Sequence, residues 1–283
     1  MSTQNTFSFG WERDLPDIRD LHESHKEISP IISKSSKLKA AKKALPASVD
    51  LRSKCSPIKN QGELGSCTAH AGVGLMEYYQ RNAFRKHIDG SRRFLYKATR
   101  NLLGWTGDDG AYLRTTMKAM VLFGICPEQY WVYDIEKFNE EPSAFCYAFA
   151  QNYQAMKYYR LDPSGTTTGK LLQSVKEKIA AQLPSMFGFS VYNSISFDPG
   201  FPDIPFPEGG DQLIGGHAVV AVGYDDKRKI GKETGALLIR NSWGKEWGDK
   251  GYGWLPYEYV RSGLAVDFWS LIEAEFVASA LFE

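Results

Sequence analysis

The chain has 283 residues, 43% of them hydrophobic, and its 34 basic side chains offset 33 acidic ones to a net charge of +1. That length supports one large or two small domains with proper cores. The balanced charge gives no footing for a nucleic acid or an anionic membrane as partner, and no apolar run approaches the roughly 18 residues of a membrane span.

The residues Met1 to Asn5 lack the charge and apolar segment of a signal peptide. The expected location is the cytoplasm, unless the chain leaves by a non-classical route or a signal has been trimmed. Four cysteines, Cys55, Cys67, Cys126 and Cys146, form no CxxC pair and no zinc-like spacing with histidine. Neither a metal nor a cofactor is expected. One disulfide is feasible, and none is the expectation in a reducing compartment.

Residues 1–45 read as a separate N-terminal segment. Gly10 to Asp20 is charged, holds Trp11, Leu15 and Pro16, and reads as extended. Ser33 to Lys43 carries five lysines and is either a protease-sensitive linker or a solvated helix face. From 46 to 153 the pattern is mainly helical, with helices expected over Cys67–Ala83, Ser91–Asn101, Asp109–Phe123 and Glu140–Asn152. Gly124 reads as the stop for the third of these.

From 154 to 272 strand patterns dominate: Tyr158–Leu161, Ser185–Tyr192, His217–Tyr224, Ala236–Arg240 and Ala265–Leu271, with one amphipathic helix at Gly169–Gln182. Phe197 to Gly210 reads as a Pro- and Gly-rich surface loop. Residues 273–283 form an apolar and acidic tail, which either packs as a helix or serves as an export or partner signal.

The chemistry centres on Gln61-Gly62-Glu63-Leu64-Gly65-Ser66-Cys67-Thr68-Ala69-His70. Here a glycine-rich loop enters a helix. A thiol at a helix start meets partial positive charge and unpaired N–H groups, which favour the nucleophilic thiolate. A buried core cysteine is the alternative. Gln61 offers an amide that suits an oxyanion. His217 opens an apolar strand behind Gly215 and Gly216, which admit close approach of another backbone. Asn241, followed by Ser242, Trp243 and Gly244, offers an amide oxygen to orient an imidazole. His70 shares the helix face of Cys67, but packing inside the helical part is its simpler role.

Together these motifs resemble those of the papain-like cysteine proteases, from about Leu45 to Phe268. With Leu-Gly-Ser-Cys-Thr-Ala and an N-terminal Gly-Trp-x-x-Asp-Leu-Pro-Asp, the chain looks most like the bacterial xylellain-like branch. The resemblance implies an α+β fold of two lobes, one helical (46–153) and one antiparallel and β-barrel-like (154–272), with a cleft between. It implies that Cys67 attacks, that His217 is base then acid, that Asn241 orients it, and that Gln61 and the Cys67 N–H form the oxyanion hole. Trp243 would shield the Asn–His pair, and Gly65 and Gly110 would support or bind substrate.

The expected substrate is a peptide or protein, cut through an acyl-enzyme by a monomeric enzyme. Acyl transfer to an amine, or peptide binding without cleavage, remain alternatives. Residues 1–45 would be a short propeptide or a cleft-covering arm anchored by Trp11 and Leu15, with the lysine-rich run as release point. Leu64 and Thr68 stand where the family usually has Cys and Trp. A loop without that disulfide is expected to be held by packing alone.

Overall fold

The structure is a computed structural model that describes residues 8–155 and 157–273. The tail beyond Glu273, given two readings above, lies outside the described residues.

The N-terminal segment contributes a two-residue strand, β1 (Trp11–Glu12), and two short helices, α1 (Ser29–Lys34) and α2 (Ser36–Lys43). Ser35 caps α2 by accepting the N–H of Leu38. Helix α2 buries Leu38 and Ala41 against Ala181 and turns its lysines to water. The lysine-rich run is therefore a solvated helix face.

Next come β2 (Ser48–Asp50), α3 (Cys67–Phe84), α4 (Arg92–Leu103), β3 (Ala111–Tyr112), α5 (Leu113–Leu122) and α6 (Ala144–Ala150). Two helices begin later than the sequence predicts. The one expected from Asp109 starts at Leu113, because Ala111 and Tyr112 pair in parallel with Trp11 and Glu12. The one expected from Glu140 starts after Ser143, whose hydroxyl accepts the Cys146 N–H and caps it just past Pro142. It then tightens into a 3-10 turn at Gln151–Tyr153.

The second half holds β4 (Lys157–Arg160), α7 (Thr168–Ala180), β5 (Ser185–Tyr192), β6 (Leu213–Ile230), β7 (Glu233–Arg240), β8 (Tyr252–Pro256), α8 (Tyr257–Arg261) and β9 (Ala265–Glu273). The strands order as β4-β9-β5-β6-β7-β8, with β2 added on β6, and every pairing is antiparallel. Strand β6 far exceeds the expected His217–Tyr224. Its pairing with β7 shifts register twice, so one long strand bends around the lobe.

The fold is α+β with a helical and a sheet lobe, and α3 faces the sheet across the junction. A Cβ at Gly74 of α3 would come 3.0 Å from Nε of Arg240, so glycine there admits the guanidinium. Arg240 in turn donates to the carbonyl oxygens of Ser56 (2.6 Å) and Pro57 (2.9 Å). These bonds tie the end of β7, just before Asn241, to the chain leading into Cys67. All four cysteines are free and buried.

Candidate active site

Cys67 is the first residue of α3 and is fully buried. Burial pushes the thiol up to about 11, partly opposed by the backbone N–H groups of Ala218, Gly10, Thr68 and Cys67 itself. The helix start alone therefore does not ionise it, contrary to the sequence expectation. The opposite lobe and residues near Gly10 exclude the water a thiolate needs.

His217 lies in β6, one residue before Ala218, and is also fully buried. Its Nε2 and Oδ1 of Asn241 are 2.7 Å apart, while Nδ1 has no hydrogen-bond partner. Burial lowers the imidazole to about 4, partly opposed by the Asn241 bond. The Trp243 ring stacks on His217 with centroids 4.5 Å apart, and Trp247 meets Trp243 edge-on at 5.1 Å. The two indoles keep solvent from the His–Asn bond. Strand β7 delivers Asn241, whose Oδ1 also accepts the N–H of Ser242 at 2.8 Å.

Gln61 is buried and fixed at both ends of its amide. Ser242 Oγ donates to Oε1 at 2.6 Å, and Nε2 donates to the Leu64 carbonyl at 3.0 Å and the Ser8 carbonyl at 3.1 Å. The Gln61 N–H donates to the Ser242 carbonyl at 2.8 Å. A side-chain amide that already donates to a carbonyl oxygen beside Cys67 is suited to receive an oxyanion there.

The loop before Cys67 is held by hydrogen bonds, which corrects the expectation of packing alone. The Gly65 N–H lies 3.1 Å from both carboxylate oxygens of Asp108. Tyr96 Oη donates to Asp108 at 2.5 Å and accepts the Gly110 N–H at 3.2 Å. The Tyr133 hydroxyl lies 2.7 Å from Ser66 Oγ and 2.9 Å from the Gln61 carbonyl. Leu64 is buried where the family usually places a cysteine. Asp108 and Tyr96 thus join Gly65 to Gly110, a link the sequence signalled only through Asp108-Asp109-Gly110.

His70 takes no place facing the sulphur. Its Nδ1 lies 3.1 Å from the Ser66 carbonyl oxygen and its ring meets Tyr133 edge-on at 5.1 Å. Burial and nearby Arg92 lower it to about 3. Among the described residues no group of three or more His, Cys, Asp or Glu is placed to hold a metal ion.

Residues 8–11 run across this site. The Phe9 ring lies edge-on to His217 (6.2 Å) and Trp243 (6.1 Å). Gly10 packs backbone to backbone on Gly65 and Gly110, and its carbonyl accepts the Ala111 N–H at 2.8 Å. Trp11 lies against Gly188 and Gly216, and its Nε1 donates to Asp267 Oδ2 at 3.2 Å. Gly216 does admit another backbone, as the sequence suggested, and it is Trp11 of the chain's own N-terminal segment, while Gly215 admits the Phe9 side chain.

Trp11 is buried as an anchor, but Leu15 is 71% exposed and offers only its carbonyl, to Arg114. Salt bridges do what Leu15 was expected to do. Arg114 pairs with Asp14 and Asp20, and buried Arg160 lies near Asp20 (3.6 Å), Asp162 (3.0 Å) and Asp267 (3.2 Å). Asp267 is the residue the sequence reading missed. A lone carboxylate inside the apolar run Ala265 to Leu271 was the available signal.

A buried thiol at a helix start and an imidazole fixed by an amide on the facing lobe are arranged as the resemblance to thiol hydrolases with a two-lobe cleft implies. Residues 45–267 match the sequence profile of the papain family cysteine proteases. The chain belongs to that family, and it is by family a cysteine-type peptidase.

Among solved structures, xylellain, a cysteine protease from Xylella fastidiosa, is similar with a TM-score of 0.75 and 33% identity, over 96% of this chain and 98% of that one. Such coverage includes residues ahead of Leu45. Bromelain from Ananas comosus, at 18% identity and a TM-score of 0.60, shares the fold. An uncharacterized peptidase C1-like protein of Acanthamoeba polyphaga mimivirus is 37% identical over 76% of this chain and 69% of its own length. Cathepsin K of Gallus gallus is 29% identical over 73% of this chain, which spans 58% of that relative. No helix among the described residues is long and apolar enough to cross a membrane.

Proposed function

We propose that this chain hydrolyses peptide bonds through Cys67, His217 and Asn241, and that its own residues 1–45 close the cleft until displaced. The observation that carries the catalytic part is the 2.7 Å bond between His217 Nε2 and Asn241 Oδ1, which leaves Nδ1 unpartnered. Nδ1 is the ring nitrogen nearer the backbone, and the N–H of the next residue, Ala218, favours the Cys67 thiolate.

In this reading His217 takes the thiol proton, and Cys67 attacks the substrate carbonyl. The oxyanion rests on Gln61 Nε2 and the Cys67 N–H. His217 then protonates the leaving amine, and water hydrolyses the acyl-enzyme. Trp243 keeps the His–Asn bond dry, while Gly65 and Gly110 form the rail along which a substrate main chain lies. The boundaries 46–153 and 154–272 describe the two lobes, and the substrate is a peptide or protein.

The covering role rests on polarity as well as position. The leaving amine must be near His217, so the C-terminal part of a substrate lies on the His217–Trp243 side. Phe9 occupies that side and Trp11 the other, so the segment runs opposite to a substrate. The Gly10 backbone N–H acts on the Cys67 thiol. A segment seated this way occupies the cleft without offering a bond to attack.

The test uses the full chain with Gly10→Leu, which cannot seat on Gly65. It should cut a mixed peptide library and be labelled at Cys67 by a thiol-directed probe, and Cys67→Ala in that background should abolish cleavage. Cleavage that survives Cys67→Ala refutes the catalytic part. Equal activity of the unmutated chain and Gly10→Leu refutes the covering role.

A further inference from the structure

The side chain that fills the cleft beside Cys67 carries information about what the open cleft would take. Trp11 lies in a pocket whose walls have no Cβ where the ring rests. A Cβ at Gly188 would fall 1.9 Å from Cε2 of Trp11, and one at Gly216 would fall 2.9 Å from Cε3. A flat ring therefore fits where two side chains are missing.

The floor is Asp267, fully buried and held at φ 64°, a left-handed conformation that a non-glycine residue rarely adopts. The pairing of β5 with β9 shifts register between Met186 and Gly188, opposite this residue. The bulge re-aims the carboxylate. Asp162 fixes it, accepting the N–H groups of Asp267 (2.7 Å) and Phe268 (3.0 Å).

The two oxygens of Asp267 have different partners. Oδ1 accepts Trp269 Nε1 at 2.7 Å and lies 3.2 Å from Arg160 Nη1. Among the described residues, Oδ2 takes its hydrogen bond from Trp11. When the N-terminal segment leaves, that bond is lost, and an acceptor buried without a donor is costly. A ligand side chain bearing a donor restores the bond, and one without it leaves the acceptor unmet. Arg160 is shared with Asp20 and Asp162, but burial also raises the Asp267 carboxyl to about 7, so near neutral pH the floor holds a cation weakly and a neutral donor suffices.

We propose that Asp267 makes this pocket select an aromatic side chain with a hydrogen-bond donor, tryptophan or tyrosine ahead of phenylalanine or leucine, on the acyl side of the bond that is cut. The acyl side follows from the pocket's place beyond Gly10, away from His217. The inference rests on the peptidase reading above and deepens it.

The test is a peptide library, followed by matched fluorogenic peptides, cut by the full chain carrying Gly10→Leu. Tryptophan and tyrosine should be enriched at one acyl-side position, with kcat/KM for tyrosine roughly three- to tenfold above phenylalanine, the yield of one neutral hydrogen bond. Asp267→Gly tolerates the positive φ and removes the acceptor, so the tyrosine-to-phenylalanine ratio should fall to about one. A general loss of structure would lower both rates and leave that ratio alone.

Peptides cut with phenylalanine or leucine equal to or better than tyrosine overturn this inference and leave the peptidase reading standing. No cleavage of any peptide overturns both. If Asp267→Gly does not fold, Trp11→Phe in the otherwise unmutated chain decides through Cys67 labelling. It removes the indole N–H together with part of the ring buried on Gly188 and Gly216, so the labelling rate should rise at least roughly threefold, and an unchanged rate overturns the inference.

Discussion

Gly10 and Gly65 meet so closely that a Cβ on Gly10 would fall 1.9 Å from the Gly65 carbonyl oxygen. The same Cβ-free contact brings the Gly10 carbonyl to Gly110, where a Cβ would fall 2.2 Å from it. Gly10 thus cannot grow without lifting off Gly65 and Gly110. Overpacking a tight contact costs about 1–3 kcal/mol or more. Gly10→Leu should therefore raise the rate of Cys67 alkylation at least roughly fivefold, and up to about a hundredfold, read by mass spectrometry of the labelled peptide.

Covering also couples to protons. In the covered form the Cys67 thiol is raised from its ordinary 9.0 to about 11 by burial. A raised value means that the covered form holds the proton more tightly. Its stability is full below the open thiol's pKa and is lost as pH rises through about 11. The unmutated chain should label slowly at neutral pH, with a rate that climbs steeply between about 9 and 11. The Gly10→Leu chain should reach its plateau at lower pH.

His217 acts in the other direction. Burial lowers it from 6.5 to about 4, so the covered form disfavours the imidazolium. Covering is then fully stable above the open histidine's pKa and weakens as pH falls toward 4. Hydrogen exchange at the Phe9 to Trp11 amides, corrected for the intrinsic pH dependence of exchange, should show more opening at pH 5 than at pH 7. His217→Gln should flatten that difference.

Gln61 and Ser242 separate binding from chemistry. The Gln61 amide is aimed by Ser242 Oγ at 2.6 Å, and its Nε2 is the proposed oxyanion donor. Gln61→Ala in the Gly10→Leu background should lower kcat by about 10²–10³ with KM little changed, since the bond forms in the transition state. Ser242→Ala keeps the donor but loosens its aim and should cost less. Steady-state kinetics on one fluorogenic peptide distinguish the two.

Asp108 does for the nucleophile loop what a covalent link does elsewhere in the family. It accepts the Gly65 N–H and the Tyr96 hydroxyl, and Tyr96 accepts the Gly110 N–H. Asp108→Ala strands two donors and should cost about 1–3 kcal/mol, a fall in Tm of a few degrees for a chain this size. Tyr96→Phe should cost about as much, and the double variant less than the sum, because both act on one network.

Much of the candidate site was legible in the chain because each member stands at a punctuated place. Cys67 follows two glycines at a helix start, His217 follows two inside a strand, and Asn241 comes just after a strand and before a Trp–Gly string. The helix boundaries at Asp109 and Glu140 were misjudged because tertiary pairing of Ala111 with Trp11, and the Ser143 cap, override periodicity. Leu15 was misread as an anchor because apolar character says nothing about which face meets the protein. The sequence does not reveal that Asp14 and Asp20 find Arg114, since that contact joins residues about a hundred positions apart. Nor could the thiol's suppressed ionisation be read locally, because its cause is burial under Gly10 and the facing lobe.

The central claim is that Cys67 is the nucleophile of a peptidase and lies beneath residues 8–11 of its own chain. One experiment addresses both halves: the unmutated chain, Gly10→Leu, and Gly10→Leu with Cys67→Ala, each incubated with the same peptide library and a thiol-directed probe. The account predicts little cleavage and slow Cys67 labelling for the first, strong cleavage and rapid labelling for the second, and no cleavage for the third. Equal cleavage by the first two, or cleavage by the third, contradicts it.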